Sequence, residues 1–262
     1  MIRSLYTAAT GMKSNQTFVD TIANNLSNVN TIGYKKQKVE FEDLIYQRLQ
    51  RPGGEKEDGN REPVGIEVGL GTRVVAIGKI FMQGNIETTG NEYDAAIEGI
   101  GFFQVRLPDG EIGYTRSGAF TKNDEGYLTI SQGYLLDPAI NIPDDATYFQ
   151  ITQSGEVTAT RLGQTESEVL GQIELARFIN PGGLLSEGGS IYRQSDASGS
   201  PIIGMPGEEN FGKIRNQFLE GSNVQMVEEM VNMIVAQRAY EISSKAITTS
   251  DEMLQTANSL KR

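Results

Sequence analysis

From Ser222 to Leu260 the chain contains neither glycine nor proline. Such a run permits a single helix of roughly 55–60 Å at 1.5 Å per residue, far beyond the ~12-residue mean of globular proteins. Its first half is apolar nearly all round, with Val224, Met226, Val227, Met230, Val231, Met233, Ile234 and Val235. A helix of that kind requires burial on several sides. In the second half, advancing each position by about 100° resolves two apolar stripes. Tyr240, Ile247 and Leu254 form one; Ile242, Ala246, Met253, Ala257 and Leu260 form the other. Arg238, Glu241, Lys245 and Glu252 gather opposite, Glu241 and Lys245 at the favourable four-residue spacing.

The other end mirrors this pattern. Ile2, Leu5, Ala9, Met12, Val19, Ala23 and Leu26 alternate at three and four residues, broken only by Gln16. That is a coiled-coil seam, and Tyr6, Ala8, Ile22 and Val29 widen it. The helix is expected to end near Ser27, where Asn28, Asn30 and Gly33 supply turn-forming residues. Paired with each other, two such helices still leave apolar surface, which copies of the same chain are expected to cover. The expected subunit-interface residues are Leu5, Met12, Val19, Asn24, Asn25 and Leu26, with Val227, Val231, Ile234, Tyr240, Ile247 and Leu254 from the last helix. The alternative reading is a two-stripe helix buried inside an ordinary monomer. Against it, chain ends in monomeric domains are more often frayed than buried.

Between the helices the pattern changes to short β-branched and aromatic runs punctuated by glycine, from about Val64 to Pro206. This reads as an antiparallel β domain, giving an α+β chain overall. Residues 102–107 and 111–115 flank Pro108-Asp-Gly110, a hairpin signal. Further turns are expected at 123–126, 131–133, 154–155 and 181–183. The segments 48–63 and 195–212 are polar and rich in glycine and proline, with the composition of solvated linkers. Before the first lies a helix-compatible stretch, 41–49, with Phe41, Leu44, Ile45 and Leu49 as its apolar anchors. The expected organisation is a helical domain of 1–35 and 222–262, a connecting segment of 36–87 and 208–221, and a β domain of 88–207.

Chemistry is narrowly bounded. The chain has no cysteine and no histidine, which removes thiolate nucleophiles, imidazole bases and the usual zinc, haem and iron–sulfur ligands. No cofactor or metal is expected. The net charge of -11 argues against nucleic-acid binding. No stretch approaches the ~18 apolar residues of a membrane span, and residues 1–7 lack the apolar core of a secretory signal. Gly207 to Lys213 copies a phosphate-loop spacing, but Ile214 stands where a magnesium-binding hydroxyl belongs. Asp144-Asp145 and Glu228-Glu229 are adjacent pairs that point apart, unlike the facing acids of a glycosidase, and the glutamates are expected to be solvent-facing or paired charges.

Three stretches carry a resemblance to a known family. Residues 23–35, Ala-Asn-Asn-Leu-Ser-Asn-Val-Asn-Thr-Ile-Gly-Tyr-Lys, closely resemble the N-terminal motif shared by bacterial flagellar rod and hook proteins. Residues 222–255 are similar to the C-terminal end of the distal-rod members, and 99–105 and 114–120 to their β domain. Ser27 stands where the family often has alanine. The resemblance marks Asn28, Asn30, Gly33 and Tyr34 as the motif turn. It implies a helical homopolymer around a secretion channel, with terminal helices inside and β domains outside, transmitting torque as a rigid shaft. Implied neighbours are proximal rod, hook, ring bushings and the flagellar type III export apparatus. The implied place is the basal-body rod in the periplasm, reached without a cleaved signal peptide. The charged 48–63 segment looks like that of the distal rod, and its Arg51, Pro52, Glu55 and Arg61 are expected to belong to a stiffening loop. Rival readings are a proximal rod or hook subunit and, from another class, a carboxylate-dependent cell-wall hydrolase.

Overall fold

The computed structural model describes residues 2–50, 64–161, 167–208 and 210–260. The chain divides into two compact units, one of 1–26, 37–78 and 225–262, the other of 27–36 and 79–224. Helices at the two ends of the chain and antiparallel sheets between them make the fold α+β.

The first unit holds the helices α1 (Ile2–Ser27) and α2 (Met226–Ser259). The first ends where the asparagine-rich turn begins, as the residues dictate. The second starts four residues later than the glycine-free run allows. Gln225 is extended, and Asn223 is drawn away by donating to the carbonyls of Ile80 and Met82 at 2.8 and 3.1 Å. Glu228 and Glu229 occupy the first turn of α2, where carboxylates complement the helix dipole.

A two-stranded ribbon completes this unit. Strand β1 (Gln37–Asp43) pairs with β4 (Thr72–Lys79), and β2 (Tyr46–Gln50) pairs antiparallel with β3 (Ile66–Gly69). Leu44 N–H donates to the Gly71 carbonyl at 2.8 Å and carries the pairing across the break. The 41–49 stretch is therefore strand and not helix. Its partner is rich in β-branched residues, Val68, Thr72, Val74, Val75 and Ile77, and long-range pairing with that strand overrides the local helical spacing. The ribbon lies on α1: Phe18 meets Phe41 edge-on with centroids 5.7 Å apart, and Ser14 Oγ donates to the Thr72 carbonyl at 3.4 Å.

In the second unit the expected hairpin forms, with Phe103 opposite Thr115 and Arg106 opposite Ile112. Its turn closes through Gly110 at φ +86, whose N–H donates to the Leu107 carbonyl. The turns near 123–126, 131–133 and 154–155 likewise join antiparallel neighbours. Pro181–Gly183 forms a single 3-10 turn. A core of Phe103, Val105, Phe120, Leu128, Ile130, Val157, Ile173 and Leu175 lies beneath these strands. A second, aromatic cluster gathers Phe102, Tyr114, Phe178 and Tyr192 against Phe81.

Candidate functional site

The two terminal helices run antiparallel, in register by heptads. Ser4 Oγ lies 3.4 Å from Ser250 Oγ. One heptad along α1 and one back along α2, a Cβ at Gly11 would stand 3.5 Å from Ser243 Oγ. Two heptads further, Asn25 Nδ2 donates to Glu229 Oε2 at 3.1 Å. The buried residues of α2, Glu229, Ala236 and Ser250, fall on the same seven-residue repeat. This seam is made of small and polar side chains. On the opposite side of α2 large apolar residues stay uncovered: Val227 is 75% exposed, Val231 53%, Ile234 58% and Val235 59%.

Asn25 makes three hydrogen bonds at one end of the seam. Its Oδ1 accepts the Gln37 N–H at 2.9 Å, and its Nδ2 donates to the Gln37 carbonyl at 2.8 Å as well as to Glu229. One side chain thus ties α1 to the start of β1 and to α2. Glu229 is buried and engaged by Asn25, which corrects only the solvent-facing half of the expectation for this residue. The reason is positional: Glu229 lies two positions after Val227, about 200° round the helix, so it points to the opposite side of α2, into the seam. Glu228 stays exposed.

The other residues of the helix pair spread over several faces. Leu5, Met12, Val19 and Leu26 are half-buried beside the seam, and Asn24 is exposed. On α2, Ile247 and Leu254 are half-buried and Tyr240 is exposed. Tyr240 and Val19 line a cavity of about 310 Å³ with Gln16, Gln237 and Glu241. Arg51, Pro52, Glu55 and Arg61 lie outside the described residues.

The motif turn belongs to the second unit. Asn28 accepts from Thr31 twice, backbone to backbone and side chain to side chain, both at 3.1 Å. Asn30 is exposed, Tyr34 is buried, and the Tyr34 N–H donates to the Thr31 carbonyl. Gly33 has φ +67 and donates its N–H to the Glu220 carbonyl at 2.8 Å. A Cβ at this position would sit 2.7 Å from the Ser117 nitrogen, so only glycine fits.

Beneath the turn, Lys35 Nζ donates to Glu220 Oε1 at 2.6 Å and to the Met82 carbonyl at 2.8 Å. The same Oε1 accepts the Gly84 N–H at 2.9 Å, while Arg116 Nη1 stands 3.4 Å from Oε2. Burial pushes the Lys35 amine below the ordinary lysine value; Glu220 opposes that shift and Arg116 adds to it. Sequence reasoning missed this cluster, since nothing local names a partner 185 residues away.

Among the described residues, no group of acidic side chains converges as a metal ion would require, and no helix is long and apolar enough to cross a membrane. The arrangement is one of packing surfaces. Residues 5–35 match a family model described as flagella basal body rod protein, which covers α1 and the motif turn. Residues 96–159 match the flagellar hook protein FlgE/F/G D1 domain, and 215–260 the flagellar basal body rod FlgEFG protein C-terminal. Over the full length of both chains, the protein is 49% identical to the flagellar basal-body rod protein FlgG of Borreliella burgdorferi. It belongs to the FlgG family of flagellar basal-body rod proteins. Identity to the FlgG of Caulobacter vibrioides is 42%, covering 99% of this chain and all of that one. A Bacillus subtilis flagellar hook-basal body complex protein, FlhP, is 30% identical over the whole of both chains. As a FlgG-family member, the chain is a structural subunit of the flagellar basal-body rod.

Proposed function

We propose that copies of this chain pack through their terminal helices into a rigid helical tube, the distal rod, which encloses the export channel and transmits torque. The observation that carries this reading is the division of α2 into two faces. Its seam with α1 is polar and small, while Val227, Val231, Ile234 and Val235 remain exposed on the far side. Fully covering each such side chain is worth about 1.5–3 kcal/mol, repeated at every subunit of a lattice.

In this reading Val227, Val231 and Ile234 meet neighbouring copies, as do Leu5, Met12, Val19, Asn24 and Leu26, the exposed Tyr240, and the half-buried Ile247 and Leu254. Asn25 is already engaged within its own chain. The helical layer corresponds to 1–35 and 222–262, the connecting layer to 36–87 and 208–221, and the β layer to 88–207. The rod lies in the periplasm, reached through the flagellar export apparatus, and meets proximal rod, hook and ring bushing proteins. The chain's role is mechanical, with no catalytic step.

Sedimentation and electron microscopy of the purified chain test this directly. Straight tubes that pellet, with no release of fragments from purified cell wall, are the expected result. A chain that stays monomeric at high concentration even when seeded with rod fragments would overturn it.

A further inference from the structure

We infer that the buried Asn25–Glu229 pair selects the register of the helix pair, a choice that the small residues of the seam leave open. Ser4, Gly11, Ala236, Ser243 and Ser250 are all small, and they repeat at heptad intervals. Sliding α2 by one heptad in one direction sets Ser4 against Ser243 and Gly11 against Ala236. Sliding it the other way sets Gly11 against Ser250. Each exchange replaces one small pair by another, so packing at these positions hardly distinguishes the three registers.

The end of the seam near Asn25 does distinguish them. In the first slipped register Glu229 moves opposite Phe18, whose ring faces Phe41. In the second, Asn25 faces Ala236. Both leave a buried carboxylate or carboxamide without its partner, which costs far more than exchanging serine for alanine. Asn25 cannot follow α2 in either direction, because Gln37 holds its carboxamide from both backbone groups. The pair therefore references α2 to the start of β1. A single polar pair in a helical seam is a known physical means of specifying register at some cost in stability.

The chain has no cysteine, so register can be read by introduced disulfides. In the full-length soluble chain, Ser4→Cys/Ser250→Cys reports the native register. Ser4→Cys/Ser243→Cys and Gly11→Cys/Ser250→Cys report the two slipped ones. With Asn25 and Glu229 intact, the intramolecular native bridge is expected to form in about tenfold or greater excess over either slipped bridge under thiol–disulfide exchange. Glu229→Leu is expected to collapse that preference, while helical circular dichroism persists. Glu229→Gln, which can still accept from Asn25, is expected to retain it. Three results would each overturn the inference: no native preference in the parent, an undiminished preference in Glu229→Leu, or equal loss in the leucine and glutamine variants. A loss of helical signal in Glu229→Leu moves the comparison to Asn25→Ser, where slipped bridges must increase for the inference to stand.

Discussion

Lys35 and Glu220 meet at 2.6 Å with both side chains completely shielded from solvent. The pair joins the residue after the motif turn to the end of the β unit, and Glu220 also holds the Gly33 and Gly84 N–H groups. Removing Lys35 leaves Glu220 the longer 3.4 Å contact to Arg116 as its ion pair, and breaking a buried pair in this way costs up to about 3–5 kcal/mol. Lys35→Met is accordingly expected to lower the stability of the β unit by that amount. Urea unfolding followed by near-ultraviolet tyrosine dichroism measures it, and an unchanged midpoint would refute the assignment of the pair as the anchor of the turn.

Tyr192 gives this unit an alkaline limit. Burial pushes its phenol well above the ordinary tyrosine value, with Tyr34 and Glu220 acting in the same direction. The hydroxyl has no hydrogen-bond partner among the described residues. Because the folded value is raised, the unfolded chain loses this proton first, near pH ~10. Stability from this group is complete below that pH and falls as pH rises beyond it, by up to ~1.4 kcal/mol per pH unit. Lys35 acts oppositely, since its lowered folded value makes its contribution grow with pH up to its unfolded value of 10.5. Tyr192→Phe should therefore match or slightly exceed the parent in stability at pH 8 and lose less of it at pH 11. Equal alkaline losses, measured as urea midpoints, would place the titration elsewhere.

Val231 separates folding from assembly. The side chain is 53% exposed in the single chain, so Val231→Asp buries no charge there and the fold is expected to survive. In a lattice that covers this face, the carboxylate would be desolvated at a cost of several kcal/mol per subunit. Pelleting should fall to background while the unfolding transition of the β unit stays unchanged. Ile247→Asp, already half-buried beside the seam, is expected to lower helical content as well as assembly. If Val231→Asp polymerises like the parent, the far face of α2 is not a subunit contact.

How much of this was legible in the sequence differs between elements. The extent of α1 followed from its periodicity and the asparagines after it. The hairpin at 102–115 followed from Pro108-Asp-Gly110. The intramolecular seam did not. Leu5, Ala9 and Met12 carry the apolar period of the sequence, yet the chain pairs its own helices through Ser4, Gly11 and Asn25. A seam of small and polar residues has no hydrophobic period to detect. The ribbon was hidden for a different reason, because 41–49 has helical spacing and only its distant partner makes it a strand.

That ribbon leads to the last prediction. Every residue of Tyr46–Gln50 is exposed, and Ile45, Leu49, Val64 and Ile66 are exposed with it. The β1–β4 end of the ribbon rests on α1, but an exposed two-stranded pair such as β2 with β3 is marginal in water on its own. Its cross-strand ion pair, Arg48 with Glu67 at 2.8 Å, is solvent-exposed and worth only about 0–1 kcal/mol. We propose that the ribbon and the charged residues beyond it, Arg51, Glu55, Arg61 and their neighbours, brace adjacent copies in the tube. Weak pairs repeated at every lattice site would resist sliding between protofilaments and keep the shaft straight. Deleting residues 50–62 leaves α1, α2 and the β unit intact, so tubes should still assemble. They should be visibly curved in electron micrographs, with a persistence length several-fold shorter than that of the parent. Tubes that remain straight and equally stiff would remove the bracing role from this segment while leaving the helix-packing interface standing.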